Sequence, residues 1–165
     1  MTGRRYLLVA MALLGATIIA PQPAHAACNP LSACSCTVTT AGISFGNYDP
    51  LSQVDNGSTG TIRVFCTLIL SLAGSFTIDL STGSSGSYSQ RTLKNGASSL
   101  AYNLFSDSAY GQIWGNGTGG STQVSQSFTS LLIVDRSFTV YGRIPAGQNV
   151  SAGAYADTII VTVTY

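Results

Sequence analysis

The final residues of the chain, ADTIIVTVTY, alternate with a period of two: Ile159, Val161, Val163 and Tyr165 fall on one side of an extended backbone, and Ile160, Thr162 and Thr164 on the other. That period, carried by β-branched and aromatic residues, predicts a half-buried strand over 159–165. Chain ends are more often frayed than apolar, so a chain that stops at Tyr165, inside such a strand, poses a question about what covers it. The same alternation recurs upstream. CTVTT (36–40) and ISFGNY (43–48) predict two early strands. TGTIRVFCTLIL (59–70) sets Ile62, Val64, Cys66 and Leu68 against Arg63, Phe65 and Thr67. SFTIDLS (75–81) groups Phe76, Ile78 and Leu80 and leaves Asp79 on the wet side. QRTLKNGASSLAYNLFSD (90–107) reads as a hairpin turning at Asn95-Gly96, a dipeptide suited to the positive φ angles of tight turns. TQVSQSF (122–128) and SFTVYGRI (137–144) complete the set. No helical apolar period of useful length follows the first residues, so the expected fold class is all-β, an antiparallel sandwich or barrel.

The N-terminus changes the compartment. Arg4 and Arg5 precede the apolar run YLLVAMALLGATIIA, and Ala24-His25-Ala26 supplies an A-x-A site. These are the parts of a secretory signal peptide over 1–26. The run is short for a transmembrane helix, and nothing later approaches the ~20 apolar residues a span needs. A lipidated Cys28 fits less well, because His25 stands where a lipobox wants an aliphatic residue. Residues 27–165 are then one exported domain, without a transmembrane segment after cleavage. Losing Arg4 and Arg5 leaves five basic side chains against six aspartates, a net charge near −1 with no cluster of either sign. A nucleic-acid partner would require a basic patch, and none exists.

Catalytic chemistry finds little material. The one histidine, His25, leaves with the signal peptide, so the exported chain has no Ser-His-Asp or Cys-His set, and the six aspartates are isolated. No cofactor or metal is expected. GNGTGG (115–120) fits G-x-G-x-x-G, but the strand-like STQVSQSF follows where a phosphate site needs a helix, so it reads as a hairpin loop. Four cysteines in an exported chain predict disulfides, with three pairings open. Cys36 and Cys66 both face the core from early strands, which favours Cys36–Cys66 and leaves Cys28–Cys34 to clip the N-terminus. Trp114 beside the glycine loop has two readings: core packing, or, with Tyr110, a contact at a loop tip.

The combination of F-G-x-Y-D-P (45–50), T-G-T-I (59–62), W-G-x-G (114–117), G-x-I-P (142–145) and the terminal D-T-I-x-V-T-V-x-Y (157–165) resembles the spore coat protein U domain family, which includes subunits of archaic chaperone–usher pili. The likeness runs from about Cys36 to Tyr165. It implies an immunoglobulin-like antiparallel β-sandwich lacking its last strand, in which Ile159, Val161, Val163 and Tyr165 flank an open groove. It also implies partners: a periplasmic pilus chaperone fills that groove first, an outer-membrane usher receives the subunit, and a neighbouring subunit's extension then adds as a β-strand. One departure concerns donation. ACNPLSACS (27–35) contains Pro30, which lacks a backbone donor, and two cysteines, so the chain is expected to accept a strand better than it donates one. That suits a tip or minor component. The alternatives are a stand-alone secreted coat or matrix protein and a carbohydrate-binding module using Trp114 and Tyr110.

Overall fold

The computed structural model describes residues 34–68, 72–130 and 132–165. The signal-peptide region, Cys28 and Pro30 therefore lie outside the described residues. Eight strands are seen among the described residues: β1 (Cys34–Ala41), β2 (Asn56–Leu68), β3 (Leu72–Leu80), β4 (Arg91–Asn95), β5 (Ser98–Phe105), β6 (Val124–Ser130), β7 (Ile133–Ile144) and β8 (Val161–Thr164). They form a five-stranded sheet in the order β1-β2-β7-β5-β4 and a three-stranded sheet in the order β6-β3-β8. Every pairing is antiparallel.

The two-residue period decides what each sheet buries. On β2, Ile62, Val64, Cys66 and Leu68 are buried while Thr61, Arg63 and Thr67 are exposed. On β3, Phe76, Ile78 and Leu80 point into the same space, as read from the sequence. Phe76 crosses the interior to meet Phe138 of β7 edge-on, ring centroids 5.9 Å apart, so the two sheets are joined by an aromatic pair as well as by aliphatic packing. Fully burying side chains of this size stabilises by about 1.5–3 kcal/mol each. The β4–β5 hairpin turns at Gly96, whose φ of +57° is the left-handed value that glycine adopts without strain.

One strand expectation fails. Residues 43–48 form no strand; they cross the inner face of the large sheet as irregular chain. The reason lies in two inward-facing glycines. A Cβ on Gly60 would meet Ile43 at 2.8 Å, and one on Gly142 would meet Phe45 at 2.7 Å. Glycine at both places leaves a hollow in the sheet, and Ile43 and Phe45 fill it. The backbone of the segment is satisfied by side chains instead of a ladder: Ser58 Oγ donates to the Ser44 carbonyl and Asn56 Nδ2 to that of Asn47. The glycines of T-G-T-I and G-x-I-P, and the aromatic of F-G-x-Y-D-P, are thus parts of one plug.

Candidate functional site

Among the described residues, the sandwich is open along one side, between β1 and β8. Cys36, Val38 and Thr40 of β1 share the face that packs inward on β2, and they stand opposite Cys66, Val64 and Ile62. Val64 is 0% exposed and Ile62 2%, yet Val38 is 40% exposed. This face is covered at β2, whereas on β1 Cys36 packs against the core and Val38 and Thr40 are exposed. Across the gap, β8 pairs with β3 and, among the described residues, with no other strand. A groove of about 240 Å³ lies between them, with Ile62, Leu80, Leu104 and Val140 at its floor and Ile159 and Val161 on one wall. It adjoins a wider hollow of about 920 Å³ between the 43–50 segment and residues 150–157. Ile43, Phe45, Leu93 and Asp157 line both.

Of the four predicted wall residues, Ile159 and Val161 line this groove, and Val163 and Tyr165 do not. Ile159, Val161 and Tyr165 are half-buried, Val163 is buried, and Ile160 turns outward at 65% exposure. The strand itself begins at Val161 and not at Ile159. Ser81 accounts for the late start: its N–H donates to the Ile160 carbonyl at 2.9 Å and its hydroxyl oxygen accepts from the Ile160 N–H at 2.9 Å. A side chain here takes the place of one ladder rung.

Two polar groups that the sequence reading did not single out hold this wall. Asp157 stands where the chain leaves the edge of β4, to which Ala156 is bonded through Lys94, and passes to the edge of β3. Its carboxylate accepts from the Tyr102 hydroxyl at 2.7 Å and from the Ser84 and Thr158 N–H groups at 2.9 Å each. Gly83 has φ +63°, and a side chain there would collide with this carboxylate. Burial, and then the bond to Asp157, push the Tyr102 hydroxyl well above the usual tyrosine range. The second group is Arg91, which has no exposed surface. It donates twice to the Ser81 carbonyl (3.0 and 2.8 Å), once to Asn103 Oδ1 (2.8 Å) and once to the Trp114 carbonyl (2.7 Å). Burial pushes its guanidinium below the usual arginine value. Arg91 therefore fixes Ser81, which in turn fixes Ile160. The only hint in the sequence was indirect: Asp157 opens the terminal D-T-I pattern, and Arg91 opens a strand with no charged neighbour until Lys94.

Cys36 and Cys66 are bonded and sit directly opposite one another in the ladder, Cα atoms 4.0 Å apart, tying the exposed strand β1 to the buried strand β2. Cys28, and with it any bond to Cys34, lies outside the described residues. The loop-tip role of Trp114 is corrected: the indole is 1% exposed and its Nε1–H donates to the Ile78 carbonyl at 2.9 Å, so it is a core residue spanning to β3. The W-G-x-G glycine follows from this, because a Cβ on Gly115 would press on Ser121 and on the Tyr88 ring. Tyr110 is half-exposed and lies elsewhere, on the outer face of the large sheet. Among the described residues there is no group of three side chains fit to hold a metal ion, and no helix long and apolar enough to cross a membrane.

The family model for the Spore Coat Protein U domain matches residues 24–162. "Protein U" of Myxococcus xanthus is 32% identical over 95% of this chain and 96% of its own length. Among solved structures, the fold is similar to a chain in the chaperone–tip adhesion subunit pre-assembly complex from the archaic chaperone–usher Csu pili of Acinetobacter baumannii, with a TM-score of 0.53 and 21% identity. That likeness covers 81% of this chain and 40% of the other, so this chain spans less than half of the solved one.

Proposed function

The chain belongs to the spore coat protein U domain family, and from that premise we propose that it is an exported structural subunit of a chaperone–usher surface pilus, a tip or minor component with a role in adhesion or biofilm. In this reading residues 1–26 are a cleaved signal peptide, and 27–165 form the domain that reaches the periplasm and then the cell surface. The periplasmic chaperone and later a neighbouring subunit each lay a strand along β8, and the outer-membrane usher handles the exchange.

The observation that carries the reading is the contrast across one pair of strands. Val38 is 40% exposed opposite a fully buried Val64, while across the gap β8 has, among the described residues, a second edge with no strand partner. A strand laid there gains backbone hydrogen bonds at a net ~0.5–1.5 kcal/mol each. Each apolar side chain that enters the groove adds up to ~1.5–3 kcal/mol. Against this stands ~1–2 kcal/mol per residue for ordering the incoming backbone. Five or so residues with alternate ones pocketed give a net gain, which is the balance expected of β-strand addition. Left bare, the edge invites self-association.

The test compares residues 27–165 expressed alone, with a pilus chaperone, and with a family donor strand fused after Tyr165. Self-association alone, and marked thermal stabilisation in the other two forms, are the expected results. A second reading, a stand-alone coat or matrix protein, is favoured by the near end-to-end match to "Protein U". It would be adopted in place of the first if the domain were a stable monomer indifferent to chaperone and donor.

A further inference from the structure

Arg143 stands apart from the other arginines. Arg63 makes a two-pronged pair with Asp135, at 2.8 and 2.6 Å, and Arg91 spends its donors on three buried acceptors. Arg143 projects from the outer face of β7, its Cζ 5.4 Å from the centre of the Phe105 ring and 5.0 Å from that of Tyr110. Among the described residues its guanidinium makes no hydrogen bond, and its nearest carboxylate, Asp55, is 3.6 Å away with both side chains substantially exposed. An exposed pair of that length contributes little and exchanges easily.

The aromatic wall beside it is held in an unfavourable conformation. Tyr110 has φ +58°, the only non-glycine residue with positive φ among those described. The loop enforces this: the Asp107 carboxylate accepts from the Gly111 and Gln112 N–H groups, and the Asp107 carbonyl accepts from the Tyr110 N–H. Its hydroxyl lies over Gly57 of β2, where a Cβ would come within 2.7 Å of the oxygen. Glycine would occupy position 110 without strain. A tyrosine kept in the left-handed region, over a glycine that makes room for it, is the kind of outlier that marks a site. Beside the two rings and the guanidinium is a depression of about 320 Å³, rimmed by Ser89, Gln90 and Pro145. Gln90 is exposed and its amide has no partner among the described residues.

We propose that this depression between Tyr110 and Arg143, on the outer face of the five-stranded sheet, binds a sugar acid, a saccharide unit bearing one carboxylate. A guanidinium steadied between aromatic rings presents two parallel N–H groups to a planar carboxylate. Asp55 leaves the locality close to neutral, which suits a monoanion and disfavours a phosphate dianion. The ring and hydroxyl of Tyr110, the Gln90 amide and the Ser89 hydroxyl match the mixed apolar and polar faces of a sugar. The volume is that of a small-ligand pocket, enough for one or two pyranose rings. The site lies on the opposite face of the large sheet from the groove and does not depend on strand addition.

The test titrates the exported domain, disulfide intact and carrying the donor strand fused after Tyr165 so that the groove is filled, with a digalacturonate, a neutral disaccharide of the same linkage, and a short aspartate-containing peptide, observed by NMR. Saturable uronate binding that shifts the Tyr110 and Arg143 signals is expected, with weaker binding of the other two. Arg143→Gln should lower uronate affinity by about tenfold or more, the scale of one charge-assisted hydrogen-bonded pair. Arg143→Lys, which keeps the charge and loses the fork, should lower it several-fold with the fold retained, as should Tyr110→Asn, since asparagine accepts the left-handed backbone. Absence of saturable uronate binding, equal binding of the neutral sugar, tighter binding of the peptide, or indifference to both arginine variants would each overturn the proposal.

Discussion

Replacing Asp157 by alanine tests how the groove wall is held. The carboxylate accepts three hydrogen bonds, from the Tyr102 hydroxyl at 2.7 Å and from the Ser84 and Thr158 N–H groups at 2.9 Å each. The two N–H groups are near the surface, so water replaces the lost acceptor and each bond is worth roughly 0.5–1 kcal/mol. Tyr102 is buried, and stranding its hydroxyl costs about 1–3 kcal/mol. Asp157→Ala should therefore destabilise by about 2–5 kcal/mol, a large share of the ~5–15 kcal/mol that a domain has in total. Asp157→Asn is the control. The amide has the same shape, keeps one oxygen for both N–H groups, and turns its NH₂ towards Tyr102, whose hydroxyl then accepts instead of donating. Its cost should stay near ~1 kcal/mol, the loss of charge assistance alone. Equilibrium urea unfolding of the exported protein measures both, and amide exchange at Ile160 and Val161 reports whether the loss is focused on the terminal strand. If alanine costs under ~0.5 kcal/mol, or asparagine costs as much as alanine, the carboxylate is not what anchors the strand.

The other predictions concern the elements around that anchor. Arg91→Lys should destabilise by about 2–3 kcal/mol in the same urea assay, because one ammonium cannot reach the carbonyls of Ser81 and Trp114 and the Asn103 amide oxygen together, and at least one buried acceptor is stranded. Replacing Cys36 and Cys66 together by alanine opens a loop with a sequence separation of 30 and should cost ~3–4 kcal/mol by the loop-entropy argument, read as a lowered urea midpoint. Alkaline stability should fall as well: the Tyr102 hydroxyl is raised in the folded state, so its contribution is full below the unfolded value near ~10 and is lost as pH rises above it. Tyr102→Phe should lose about 1 kcal/mol at neutral pH, one hydrogen bond, and show a flatter decline above about pH 10 in urea titrations at stepped pH.

The pattern along the chain determined much of this protein on its own. A period of two in β-branched and aromatic residues has one economical reading, a strand with one wet face; β2 and β3 bury the residues that the period groups together, and of the terminal group Val163 is buried and the others half-buried. The Cys36–Cys66 bond was legible for the same reason, since facing the core from early strands brings two thiols within reach. What the pattern could not supply was whatever depends on which strand lies beside which. ISFGNY alternates like a strand, but Gly60 and Gly142 become a hollow only when β2 and β7 are paired, and the hollow draws Ile43 and Phe45 out of any ladder. Trp114 sits beside a glycine loop in the sequence, yet its indole reaches the Ile78 carbonyl 36 residues away. Asp157, Arg91 and Arg143 read alike as single charges scattered along the chain. Only the packing of the two sheets buries Arg91 among carbonyls, sets Asp157 against Tyr102 at the groove, and places Arg143 against two rings with, among the described residues, no more than an exposed 3.6 Å pair to Asp55, because burial and partners are properties of the assembled sheets and not of any window of sequence.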